Sequence, residues 1–208
     1  MNTIIDLKHA QAQLDVSGIA TLTISGAGSL NILSTPVIKD LTSALNNLAL
    51  RSDVRVLILR GTGDKAFVAG ADISEMAQLT RVTAMQFITG LRDLCEAARS
   101  FPVPVIARIP GWSLGGGLEF AMACDVRIAS HGTQFGMPEV KVGIPSVIHA
   151  TLMPKLIGES RAAWMLLSGE NIGSEQALDW GLINEAVAQR DIVPRIQSVV
   201  VDLSAGGY

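Results

Sequence analysis

The sequence predicts an α/β fold in one domain spanning residues 1–208, and three observations lead to this prediction. Runs that read as strands alternate with amphipathic segments of helical spacing, and glycine-rich turns join them. The length of 208 residues suits one domain with a substantial core. With 49% hydrophobic and 17% charged residues, the composition excludes a disordered chain. No internal repeat, low-complexity tract or linker divides the sequence.

The first quarter of the chain predicts a hairpin, a helix and a strand. Residues 14–24 alternate apolar with small or polar residues around Ser17-Gly18, which is typical of a β-hairpin. After a glycine-rich loop, Ser34 and Pro36 supply an N-cap and an N-terminal proline for a helix. A strand is predicted over residues 54–60.

Residues 61–76 contain two glycine-bearing patterns. Gly61-x-Gly63-x-x-Ala66 matches a loose dinucleotide-binding pattern, but residues 67–70 are extended and glycine-broken where a Rossmann helix would begin, which argues against that interpretation. Residues 69–72 are small and precede a helical turn, so they form a candidate site of free backbone N–H donors. An amphipathic helix is predicted over residues 80–99, with core packing as its role.

The centre of the chain is a strand, a glycine triplet and a helix. A buried strand is predicted over residues 103–109, and a helix over residues 118–124 follows Gly115-Gly116-Gly117. The first N–H groups of a helix have no internal partner and lie at the positive end of its dipole. The junction is therefore suited to an oxygen that becomes negative. Glu119 lies in the first turn, a position that the dipole alone favours for an acid.

The last third predicts a short strand at residues 126–129 and then mainly helices. Glu139 directly follows Pro138 in an otherwise apolar stretch. A helix is predicted over residues 142–156, starting near residues 143–146, with His149 on its surface or lining a pocket. Further helices are predicted at residues 161–167, 174–180 and 192–203, and residues 181–187 end the sheet.

Charge and cysteine content exclude several classes of function. A net charge of −3 without a Lys/Arg cluster argues against nucleic-acid binding. No apolar run approaches the ~20 residues that cross a bilayer, and residues 1–13 lack the apolar region of a secretory signal. Cys95 and Cys124 are too few and too far apart for a disulfide framework or a zinc site. We therefore expect a reduced, cytoplasmic protein without a metal or a membrane partner.

One competing catalytic motif lies at the central turn. Residues 111–115 match the G-x-S-x-G nucleophile elbow, with Ser113 as the nucleophile. Of the downstream histidines, His149 follows too closely for the intervening strands of an α/β-hydrolase. The elbow's helix should also start directly after the serine, whereas here three glycines intervene.

Three motifs in order resemble the enoyl-CoA hydratase (crotonase) superfamily: AFVAGADI (66–73), LGGGLE (114–119) with ACD (123–125), and FGMPE (135–139). The similarity extends through residues 167–169 and 177–183 and so covers nearly the whole chain. It implies a fold of repeated ββα units and an acyl-CoA thioester as the ligand. It also implies a homotrimer or hexamer, and a C-terminal helical segment that is absent or truncated here.

The resemblance assigns roles to individual residues. The amides of Ala71 and Gly116 would form an oxyanion hole for the thioester oxygen, and Glu119 and Glu139 would hold and activate water. The site for coenzyme A would comprise these two amides together with Ala69, Asp72 and Ile73. No metal or redox cofactor is expected, because coenzyme A enters as part of the substrate.

Two stretches depart from the family pattern. The hydratases commonly have glycine-rich sequence after the position of Pro145, whereas residues 146–149 here are Ser-Val-Ile-His, which predicts a bulkier pocket at the acyl end. Gly28 and Ser29 stand where members often have a basic residue for the phosphates of coenzyme A.

The residues indicate a hydratase, a lyase that adds water across the 2,3 double bond, because both glutamates are present. An enoyl-CoA isomerase, which needs one acid, and a catalytically silent acyl-CoA-binding subunit stay open as alternatives.

Overall fold

A computed structural model describes residues 1–205, and it confirms the predicted α/β class. The strands in chain order are β1 (Asn2–Asp6), β2 (Ala10–Leu14), β3 (Ile19–Ile24), β4 (Val56–Gly61), β5 (Ala66–Val68), β6 (Val105–Ile109), β7 (Trp112–Leu114), β8 (Val126–Ser130), β9 (Gln134–Gly136), β10 (Asn171–Gly173) and β11 (Glu185–Val187). The helices are α1 (Thr35–Ala49), α2 (Ile73–Met76), α3 (Arg81–Arg99), α4 (Gly116–Met122), α5 (Met153–Ile157), α6 (Glu159–Ser168), α7 (Ser174–Trp180) and α8 (Ile192–Ala205).

The strands form two sheets. The larger has the order β1-β2-β3-β4-β6-β8-β11, antiparallel through β3 and parallel from β3 onward. The smaller has the order β10-β9-β7-β5, in which β5, β7 and β9 are parallel. Because β4 and β6 each continue into a strand of the smaller sheet before a helix, the chain repeats a ββα unit.

Helices cover both faces of the larger sheet, as parallel strands require. Val105 and Ala107 of β6 belong to the main core, whereas Ile106 between them packs with Ile192 and Ile196 of α8 on the other face. This alternation follows from the two-residue period of a strand, and it explains why all five residues of β6 are buried.

Several predicted elements are confirmed. Helix α1 has Pro36 in its first turn and buries the predicted apolar face, and α7 has the predicted bounds. Thr80 caps α3 through a reciprocal pair of hydrogen bonds with Thr83. The prediction missed four short strands, β1, β7, β9 and β10, and most of β2. It also began the central helix at Leu118, whereas α4 begins at Gly116.

The helix predicted over residues 142–156 is wrong for residues 143–149 and right only towards its end. A 3-10 helix at Pro138–Val142 ends at Gly143, which has φ +71°, and residues 143–149 form neither helix nor strand. Pro145 cannot donate an amide hydrogen bond, and the amides of residues 148–150 bind a side chain from α4. A 3-10 helix follows at Ala150–Leu152 and leads into α5, which has Pro154 in its first turn.

Two further expectations concern membranes and cysteines. Within residues 1–205, none of the helices combines the length and apolar character needed to cross a bilayer. Cys95 and Cys124 are buried, unpaired and part of the main core.

Candidate active site

The glycine triplet lets three elements meet at the start of α4. Gly115 has φ +52°, and a Cβ there would lie 2.5 Å from Oε1 of Glu139. A Cβ on Gly117 would lie 2.2 Å from the carbonyl oxygen of Val68 in β5. Only glycine therefore allows α4 to pack this closely against β5 and Glu139.

Two backbone amides are free beside this junction. The Leu33 amide donates to Gly70 O and the Asp72 amide donates to Leu33 O, both at 3.0 Å, so the Ala71 amide between them points away from this bridge. Within residues 1–205, the amides of Ala71 and Gly116 donate to no backbone carbonyl. Both residues line the same cavity.

The cavity has a volume of about 160 Å³ and a mainly apolar lining. Six predicted site residues line it: Ala69, Ala71, Ile73, Gly116, Glu119 and Glu139. Asp72 does not line the cavity, and its carboxylate instead caps α2 by accepting from the Glu75 amide at 3.0 Å. The fold thus brings together all the predicted site residues except Asp72.

Glu119 is a buried carboxyl group held by a backbone segment. Its side chain enters from α4, and its Oε1 accepts from the amides of Ile148 at 3.3 Å, His149 at 3.0 Å and Ala150 at 2.9 Å. Burial raises the pKa of Glu119 to about 7, the three amides oppose this rise, and the charge of Glu139 adds to it. The group therefore titrates near neutral pH, which suits a general base.

Glu139 approaches the cavity from the other side, on the 3-10 helix after Pro138. Its Oε2 is buried and has no hydrogen-bond partner among residues 1–205. Burial raises the pKa of Glu139, against smaller opposing effects of its own backbone amide and of the Ser146 side chain. A buried oxygen without a donor favours the protonated form or a hydrogen bond to something bound in the cavity.

Some residues of the site were not predicted as such. Phe87, Ile88 and Leu91 line the cavity, although α3 was expected only to pack the core. The amides that hold Glu119 are backbone groups of a segment predicted as helix, so no side-chain signal identifies them. His149 is neither on a helix surface nor in the cavity lining, because its ring is buried and its Nε2 lies 3.0 Å from Oε1 of Glu96.

The hydrolase and dinucleotide interpretations of the sequence are both wrong. Ser113 is fully buried in β7, and its hydroxyl donates to Gly117 O at 3.4 Å instead of facing a cavity. Ala66 begins the strand β5 and not a helix, so the dinucleotide pattern lacks its required context. Among residues 1–205, no group of three or more histidine, cysteine or acidic side chains is placed to bind a metal ion.

Comparisons with known proteins agree with this geometry. The family model described as Enoyl-CoA hydratase/isomerase matches residues 15–205. The short-chain-enoyl-CoA hydratase of Clostridium acetobutylicum is 35% identical over 176 residues, which cover 84% of this chain and 67% of that protein. The crotonyl-CoA hydratase of Syntrophomonas wolfei is 34% identical over 182 residues, which cover 87% and 70%.

Solved structures show the same fold. The crystal structure of an enoyl-CoA hydratase from Bacillus anthracis superposes with a TM-score of 0.91 at 28% identity, covering 96% of this chain and 78% of that one. Two free amides and two buried glutamates around one apolar cavity, on this fold and with these relatives, lead to one conclusion: the chain belongs to the enoyl-CoA hydratase/isomerase (crotonase) superfamily.

Proposed function

We propose that the protein hydrates 2-enoyl-CoA thioesters to 3-hydroxyacyl-CoA, with Glu119 and Glu139 handling the protons. The observation that carries this proposal is that two carboxyl groups and two free amides line one mainly apolar cavity. The hydratases named above, at about 35% identity, support a hydratase-type enzyme.

The amides of Ala71 and Gly116 are the proposed oxyanion hole. When water attacks C3 of a conjugated thioester, negative charge moves to the carbonyl oxygen. Two preorganised N–H donors beside an apolar pocket stabilise that charge where it develops. Gly116 is also the first residue of α4, so the positive end of the helix dipole acts in the same direction.

The two glutamates have different environments, which suggests different roles. Oε1 of Glu119 accepts hydrogen bonds from three backbone amides, which stabilise the carboxylate, while Oε2 accepts none from residues 1–205. We assign Glu119 as the base that takes a proton from water as its oxygen bonds to C3. Glu139, whose buried Oε2 has no partner, is assigned as the acid that delivers a proton to C2.

Binding of the acyl-CoA is proposed to use the segment from Ala69 to Ile73 together with Gly116. Ala69, Ala71 and Ile73 line the cavity, and their backbone is the surface that a thioester and its pantetheine arm would follow. Asp72 contributes through the backbone conformation that its cap on α2 fixes. Coenzyme A enters with the substrate, and we propose no further cofactor.

Assembly and location are part of the proposal. On the family resemblance, we propose a homotrimer or hexamer in the cytoplasm. Sedimentation of the purified protein at several concentrations tests the assembly, and a concentration-independent monomer contradicts it.

Turnover of crotonyl-CoA tests the proposed function. We expect loss of the absorbance of the conjugated thioester, one oxygen-18 in the product from labelled water, and a kcat that falls as Glu119 protonates below about pH 7. Shift of a 3-enoyl-CoA double bond without oxygen incorporation would identify an isomerase. Acyl-CoA binding without either reaction would identify a silent subunit.

A further inference from the structure

We propose that the contact between the His149 ring and the Glu96 carboxylate positions Glu119 by holding the backbone segment that binds the Glu119 carboxylate. His149 and Glu96 are therefore positioning residues, and neither lines the cavity. The inference relies on the proposed function only for the role of Glu119 in turnover.

The geometry links α3 to the carboxylate through one residue. His149 donates its backbone amide to Oε1 of Glu119 at 3.0 Å, and its ring Nε2 lies 3.0 Å from Oε1 of Glu96 on α3. The neighbouring amides of Ile148 and Ala150 bind the same Glu119 oxygen. A displacement of His149 would therefore disturb three hydrogen bonds to Glu119 at once.

The segment needs such a contact because secondary structure does not fix it. Residues 143–149 belong to no helix or strand, and a 3-10 helix begins only at Ala150. Three consecutive amides reach one oxygen only if the backbone turns around it. In a segment without a hydrogen-bond ladder, a buried side chain tied to a neighbouring helix restricts that conformation.

The ring environment assigns the proton of His149. Nδ1 is buried without a partner among residues 1–205, so a proton there would be a buried donor with no acceptor. The neutral tautomer that has its proton on Nε2 avoids this cost and keeps the N–H group on the nitrogen that lies 3.0 Å from Oε1 of Glu96. Burial lowers the pKa of His149, although Glu96 opposes the change, which agrees with a neutral ring.

Four variants isolate the contact, and a fifth serves as the control. Glu96→Ala removes the acceptor, His149→Leu removes the donor while filling the buried space, and the double variant tests whether the two act as one unit. Glu96→Gln keeps an acceptor oxygen, so we expect this variant to behave more like the wild type than Glu96→Ala does. Asp93→Asn is the matched control, because Asp93 lies on the same helix and, among residues 1–205, pairs only with the exposed Arg92.

Two measurements report on Glu119 without using activity. The first is hydrogen exchange of the amides of residues 148–150, which we expect to accelerate about threefold to tenfold in Glu96→Ala and His149→Leu, because Glu96 is half-exposed. The second is the pKa of Glu119 followed by carbon-13 NMR. We expect it to rise when the amides loosen, although removing a nearby negative charge would by itself lower it.

Kinetics then test the consequence for turnover. We expect kcat for crotonyl-CoA to fall about threefold to tenfold in both single variants, with KM little changed, no further loss in the double variant and a shifted acidic limb of the pH profile. Unchanged exchange and an unchanged Glu119 pKa in both single variants overturn the proposal, as does an equal response in Asp93→Asn. If exchange and titration respond but the wild type does not hydrate crotonyl-CoA, the proposed function fails and the positioning role stands.

Discussion

As the pH rises, the unfolding free energy of Glu119→Gln should increase relative to that of the wild type. The folded-state pKa of Glu119 is about 7, against an ordinary value of 4.5, because the carboxyl group is buried. The folded state thus keeps a proton that the unfolded state loses between these two values. The stability that this proton contributes is present below about pH 4.5 and is lost as the pH rises through about 7.

The magnitude follows from linkage. The full effect of this pKa difference is about 3 kcal/mol, and most of it falls between pH 5 and pH 8. Glutamine has no proton to lose in this range. Between these two pH values, the difference in unfolding free energy between Glu119→Gln and wild type should therefore move by about 2 to 3 kcal/mol in favour of the variant.

Urea unfolding at pH 5 and pH 8, at fixed protein concentration, measures this difference. The control is Glu170→Gln, since Glu170 is exposed and should show no such change. Comparing each variant with wild type at the same pH removes the contribution of the other titrating groups to the unfolding free energy. Comparing the two pH values then removes any constant cost of weaker hydrogen bonds to glutamine. A difference that is the same at both pH values, or that moves against Glu119→Gln at pH 8, would refute the reasoning.

Two further predictions concern the glycine triplet and Ser113. Gly115→Ala should cost clearly more stability than Gly28→Ala and should reduce kcat, because both glycines have positive φ but only at Gly115 would the added Cβ meet Glu139. Equal unfolding free energies and unchanged turnover in the two variants would contradict this explanation. Ser113→Ala should keep kcat within about threefold of wild type, and a fluorophosphonate probe should not label the native protein, because the hydroxyl is buried; stoichiometric labelling at Ser113 would count against the site described above.

The sequence predicted correctly those helices and strands that are determined by side chains within the same segment. Pro36 at the start of α1 and the amphipathic pattern of α3 lie within each helix and were predicted from the sequence. The glycine triplet was predicted as the junction between a strand and a helix. The structure shows that α4 packs closely against β5 and Glu139 at this junction.

Tertiary contacts explain the failures. The apolar stretch after Gly143 was predicted as a helix, but its amides bind Glu119, a residue more than twenty positions away. The ring of His149 finds its partner Glu96 on α3, and no pattern within the segment encodes this. Strand β1 is short and half-exposed, and it exists because β2 offers it an edge.

The central claim is that Glu119 and Glu139 each move one proton as water adds to the substrate, and the kcat for crotonyl-CoA hydration by Glu119→Gln, Glu139→Gln and the double variant tests it most directly. Each substitution keeps shape and polarity but removes the proton-transferring carboxyl group. We predict a loss of about 10² to 10⁴ in kcat for each single variant, little change in affinity for coenzyme A, and a double-variant loss far smaller than the product of the two. Near-normal hydration by Glu139→Gln alongside an inactive Glu119→Gln would contradict the two-carboxylate account.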